Sequence, residues 1–163
     1  MNFINYKKGF TFLELIVVTA ISGILVVASV PVYGNFQVKL QLLDSSAEIV
    51  QTLRTARQQS LVGYNNANHG VYFDINSSGI DSFTLYQGSS YETRDIDYDL
   101  LFNLKSSLVL SNSSFTLTGD DIDINFAKGG LGLPDNIGAL VLSHTVTGSK
   151  TISVNEYGKV EKN

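Results

Sequence analysis

The pattern of apolar and polar positions divides the chain into three stretches. Leu15 to Val32 is almost wholly apolar, and from Leu15 to Val38 the only ionisable side chain is Tyr33. A run of this length, as a helix rising 1.5 Å per residue, is about what a hydrocarbon core requires. Beyond Gly34 the pattern becomes amphipathic. Phe36, Leu40, Leu43, Ala47, Val50 and Leu61 fall near one helical stripe, and Val38, Leu42, Ile49, Leu53 and Ala56 form a second beside it. Gln37, Gln41, Asp44, Glu48, Gln51 and Gln59 take the remaining face. One helix is therefore predicted to continue to about Val62, stopped by Gly63 and the turn-rich "GYNNANHG".

The rest predicts strands. "GVYFDI", "SFTLYQG", "IDINFA", "IGALVLSHTV" and "KTISVNEYGKVEK" are β-branched or aromatic runs with partial alternation, and "TVTGSKTIS" reads as a hairpin turn. A helix followed by antiparallel strands implies an α+β fold, with the sheet laid against the helix.

Charge sharpens this division. The 163 residues carry a net charge of -4, and most acids lie beyond the apolar run, so the chain reads as an anchor with a soluble head. No cysteine is present, which removes disulfides and thiolate metal sites. An acidic head argues against nucleic acid as a partner. Lys7 and Lys8 precede the apolar run and place the N-terminus on the cytoplasmic side. A secretory signal peptide could be cut near Ala20, Ser22, Gly23, Ala28 or Ser29, but the run is long for one. A plain signal-anchor explains the length. Neither explains Glu14, because a carboxylate in the bilayer costs about 3 kcal/mol on insertion scales and calls for a partner.

"KKGFTFLELIVVTAISGIL" resembles the class III signal of type IV pilins and type II secretion pseudopilins, with Phe12 where leucine is more usual. The resemblance implies a leader at 1–9, a transmembrane and assembly helix at 10–33, an amphipathic continuation at 34–62 and a β-rich head at 63–163. It implies that prepilin peptidase cuts between Gly9 and Phe10 and that Phe10 becomes N-methylated. Glu14 then neutralises the new amine, in the same subunit or in a neighbour. The implied partners are the peptidase, membrane lipid along 10–33, and other pilins or pseudopilins in a filament. The implied location is the inner membrane, with the head periplasmic or extracellular. One amphipathic stripe would pack on the head's sheet; the other meets neighbouring subunits or simply widens the core face. Pro31 either kinks the helix or marks the end of the span. "LRTARQQSLV", "INFAKGGLGLP" and "ALVLSHTVTGSKTISVNEYGKV" resemble the GspH/FimT-like minor subunits.

No catalytic constellation is present, and neither an enzyme nor a cofactor is expected. His69 and His144 lack any HExxH or GxSxG context, and "KGGLGLP" lacks the GK[ST] ending of a phosphate loop. Arg54 and Arg57 read as solvated or salt-bridged helix charges. Asp95, Asp97 and Asp99 alternate, and Asp120, Asp121 and Asp123 cluster, so both groups are weak candidates for Ca²⁺. An EF-hand loop beginning at Asp95 would need glycine and glutamate where Leu100 and Ser106 stand. Some related minor pilins capture DNA through a basic C-terminal tail. Here Lys159 and Lys162 are offset by Glu156 and Glu161, so DNA capture is the alternative function rather than the leading one.

Overall fold

The computed structural model describes residues 9–75, 79–146 and 148–163, apart from the side chains of 28–33 and 35. The helix α1 spans Phe12–Val62. Gly63 follows it with φ +65°, the left-handed conformation that commonly closes a helix, and its N–H donates to the Ser60 carbonyl at 3.0 Å. The chain divides into two compact units, residues 1–37 and 38–163.

In the first unit every described side chain of Phe12–Val27 is exposed, including Phe12, Leu13, Leu15, Ile24 and Val27. Among the described residues no helix is long and apolar enough to cross a membrane. The described apolar side chains stop at Val27, and the remainder of the expected run, including Pro31, lies outside them.

Among its described residues the second unit holds eight strands: β1 (His69–Asp74), β2 (Ser82–Gln87), β3 (Asp95–Asn103), β4 (Leu108–Asn112), β5 (Ile122–Phe126), β6 (Gly138–His144), β7 (Ser149–Val154) and β8 (Val160–Lys162). They form two four-stranded antiparallel sheets, ordered β3-β2-β1-β5 and β4-β6-β7-β8. The sequence pattern anticipates a single sheet without β3 or β4, and it runs β7 and β8 together. A turn at Asn155–Gly158 separates those two: the Asn155 Oδ1 accepts from the Tyr157 and Lys159 N–H groups at 3.0 and 2.9 Å. The expected β6–β7 hairpin is present, with Ser143 opposite Ser149.

A single core joins α1 to both sheets. Leu42, Ser46, Ile49, Leu53, Ala56 and Ser60 are buried at alternating spacings of four and three residues, so one face of the helix is inserted. Phe73 and Phe83 meet it from the first sheet, and Leu142 and Ile152 from the second. The buried face is thus the stripe through Leu42, Ile49, Leu53 and Ala56. On the other stripe Val50 is buried, Leu61 is exposed and Ala47 is also exposed.

β2 is buried along its whole length, so its outward face needs a cover too. Tyr86 supplies part of it. It stands opposite Gly70, and its ring lies across that residue toward β5; a Cβ at position 70 would sit 2.4 Å from the phenol oxygen.

Candidate processing and assembly site

Gly9, Phe10 and Thr11 precede the helix in non-helical backbone. Among the described residues, chain neighbours aside, no atom lies within 4 Å of where a Gly9 Cβ would stand, and Phe10 is 85% exposed. Thr11 begins the helix. Its Oγ1 accepts from the Glu14 N–H at 3.2 Å, and its carbonyl accepts from the Leu15 N–H at 3.2 Å. Thr-x-x-Glu is the sequence signature of a helix N-terminus, and the pattern was there to be read. Glu14 therefore lies in the first turn, where its charge complements the helix dipole by about 0.5 kcal/mol. That is well short of the roughly 3 kcal/mol needed to carry a carboxylate into hydrocarbon. Capping explains the position of Glu14 in the helix but not its presence in an apolar segment. Phe10 lies before the capped turn rather than within it, so its nitrogen is not part of the helix. Lys7 and Lys8 lie outside the described residues.

The six aspartates do not converge. β3 and β5 are the opposite edges of the first sheet, three strand spacings or roughly 14 Å apart. Asp99 Oδ2 accepts from Arg94 Nε at 2.7 Å, and Asp95 Oδ1 accepts from the Asp97 N–H at 3.3 Å. At the other edge Asp121 takes the Tyr72 hydroxyl at 2.6 Å and the Ile75 N–H at 2.9 Å. Asp123 takes the Tyr86 hydroxyl at 2.6 Å and the Tyr91 N–H at 3.2 Å. Tyr91 stacks on Tyr72 with centroids 3.7 Å apart, and the Arg94 guanidinium lies 3.7 Å from the centroid of the same Tyr91 ring. Burial, followed by the bonds to Asp121 and Asp123, pushes both the Tyr72 and Tyr86 phenols well above their usual pKa. These carboxylates fasten a tyrosine layer over the outer face of the sheet. Among the described residues no three histidine, aspartate or glutamate side chains gather closely enough to hold a metal.

Arg54 is exposed, as expected of a solvated helix charge, and Arg57 is half-buried. Among the described residues neither forms an ion pair. Arg54 donates to the Val160 carbonyl at 3.0 Å, and Arg57 donates to the carbonyls of Gly132, Leu131 and Tyr157 at 3.3, 3.3 and 2.8 Å. The Arg57 acceptors are loop carbonyls and the Arg54 acceptor begins β8, and the guanidinium fork suits such carbonyls. The glycine-rich segment is a loop, and its Gly129 N–H donates to the Ser60 carbonyl at 2.8 Å.

The model of the prokaryotic N-terminal methylation motif matches residues 4–30. The chain is 33% identical over 76 residues to the type IV major pilin protein PilE1 of Neisseria gonorrhoeae, covering 47% of this chain and 33% of the relative. It is 32% identical over 83 residues to the type IV major pilin protein PilE of the same organism, covering 50% and 46%. A fimbrial protein of Neisseria meningitidis serogroup A is 31% identical over 91 residues, covering 55% and 50%. Residues 4–30 thus carry the methylation motif, and about half of the chain is similar to type IV pilins. A long N-terminal helix packed on antiparallel sheets agrees with the pilin fold. The chain spans between a third and a half of the length of the curated relatives it matches. No solved structure matches it.

Proposed function

We propose that the chain is a structural subunit of a thin filament, a type IV pilus or a type II secretion pseudopilus. The observation that carries this reading is the methylation motif over residues 4–30, in which an exposed Phe10 precedes the exposed side chains of helix residues 12–27. Prepilin peptidase removes 1–9 and methylates the amine of Phe10. Residues 10–33 then hold the subunit in the inner membrane until it joins the filament. There the helix exchanges lipid for the helices of neighbouring pilins, with 34–62 entering the head at 63–163.

Glu14 pairs with the N-terminal amine of a neighbour, because each charge alone is unfavourable in an apolar surround. Thr11 caps the helix between Phe10 and Glu14, which favours a partner from another subunit over the amine of the same chain. The two-sheet head and the C-terminal hairpin support a GspH/FimT-like minor subunit. DNA capture is disfavoured: Lys159 pairs with Glu161 at 2.5 Å, and the chain carries a net charge of -4. Mass spectrometry of the chain recovered from its host tests the proposal. A mature N-terminus at methylated Phe10 supports it, whereas an intact Met1 or a cut near Ala28 overturns it.

A further inference from the structure

We propose that a cleft beside the end of α1 binds a single ammonium or guanidinium group. The cleft has a volume of about 260 Å³ and is bordered by His69, Tyr64, Gln87, Asp97, Tyr98 and Asp99. It opens where the pairing of β2 with β3 shifts register between Leu85 and Gln87.

Two buried polar atoms on its border have no hydrogen-bond partner: Nδ1 of His69 and Oδ1 of Asp99. His69 is only 3% exposed. Its backbone is fixed by Ser60, whose Oγ accepts the His69 N–H at 2.8 Å, and its ring lies 5.9 Å from that of Tyr64. Asp99 is fixed through its other oxygen by Arg94. A buried polar atom without a hydrogen bond is unfavourable, so both atoms favour an incoming donor.

The charge balance selects the kind of donor. Burial lowers the His69 pKa, against weaker support from the Gln87 side chain and the Ala67 backbone, so the imidazole is neutral at physiological pH. Arg94 offsets Asp99, leaving Asp97 as one net negative charge, and no lysine or arginine lines the cleft. His69, Asp97 and Asp99 are not grouped as metal ligands are. A nitrogen cation with directional N–H groups fits the acceptors, and the rings of Tyr64 and Tyr98 suit its charge and its alkyl stem. The cleft is small for a whole metabolite and sized for one side-chain-like group.

The test uses the full chain in detergent micelles with ¹⁵N-labelled histidine, since His69 and His144 are the two histidines and report from different sheets. Methylguanidinium is titrated at constant ionic strength, with methylurea as its uncharged counterpart. The His69 ring signals should shift saturably with methylguanidinium and not with methylurea, while those of His144 stay in place. Asp97→Asn leaves the Arg94–Asp99 pair intact and should weaken binding about tenfold. Equal responses to both probes, parallel drift of both histidines, or undiminished binding by Asp97→Asn would each overturn the proposal. Dilution without any probe identifies the source. A His69 signal that moves on dilution assigns the group to a lysine or arginine of a second copy, and an unmoved one assigns it to a dissolved amine.

Discussion

Removing one hydroxyl, by Tyr86→Phe, should destabilise the head by an amount that shrinks at alkaline pH. Tyr86 is fully buried, donates to Asp123 Oδ1 at 2.6 Å and accepts from Asn125 Nδ2 at 3.0 Å. A hydrogen bond to a charged acceptor contributes about 1.5–3 kcal/mol, so a loss of about 2 kcal/mol is expected near pH 8. The pH dependence follows from the raised phenol pKa, caused first by burial and then by Asp123. Below pH 10 the phenol is protonated in both folded and unfolded chains, and its full stabilisation is present. Above pH 10 the unfolded chain releases the proton while the folded chain retains it, so stability falls as pH rises. By pH 11 the loss from this one group is about 1.4 kcal/mol, which the phenylalanine variant cannot suffer. The difference between the two proteins should therefore drop from about 2 kcal/mol at pH 8 to below about 1 kcal/mol at pH 11. Urea denaturation followed by circular dichroism measures it, and other alkaline titrations cancel in the difference. A gap that stays constant from pH 8 to pH 11 would refute the assignment of Tyr86 as a buried, carboxylate-bound phenol.

Other perturbations separate the roles of the remaining parts. Glu14→Ala should leave cleavage after Gly9 intact in a peptidase assay and abolish recovery of the subunit in filaments; normal incorporation would remove the charge-pair mechanism. Thr11→Ala should lower helix stability by about 1 kcal/mol, seen as faster amide exchange at Leu13 and Glu14, without preventing processing. Leu53→Ala removes a fully buried side chain between the two sheets and should cost about 2–5 kcal/mol in urea denaturation. Arg57→Ala strips three carbonyls of their donor and should cost about 1–3 kcal/mol, with proteolysis appearing first in the loop at 129–134.

Whatever depends on near neighbours in the chain was legible in the sequence. Apolar spacing and Gly63 marked the helix and its end, and alternation marked β1, β2, β5 and the β6–β7 hairpin, because backbone conformation and short-range periodicity decide these. The Lys-Lys-Gly-Phe motif, with Glu14 behind it, is likewise linear and carries the resemblance to type IV pilins. Thr11 was equally legible, as the start of Thr-x-x-Glu. What depends on distant pairing was not. β3 has acids alternating with exposed Ile96, Tyr98 and Leu100, so it shows no buried face, and only its ladder with β2 makes it a strand. β4 is short and is defined by its pairing with β6. Two helical stripes were equally apolar in sequence, and only the two sheets decided that Leu42, Ile49, Leu53 and Ala56 face inward. The same long-range order put the two groups of aspartates on opposite edges of one sheet, and brought His69 beside Asp99 at a cleft that no local pattern describes.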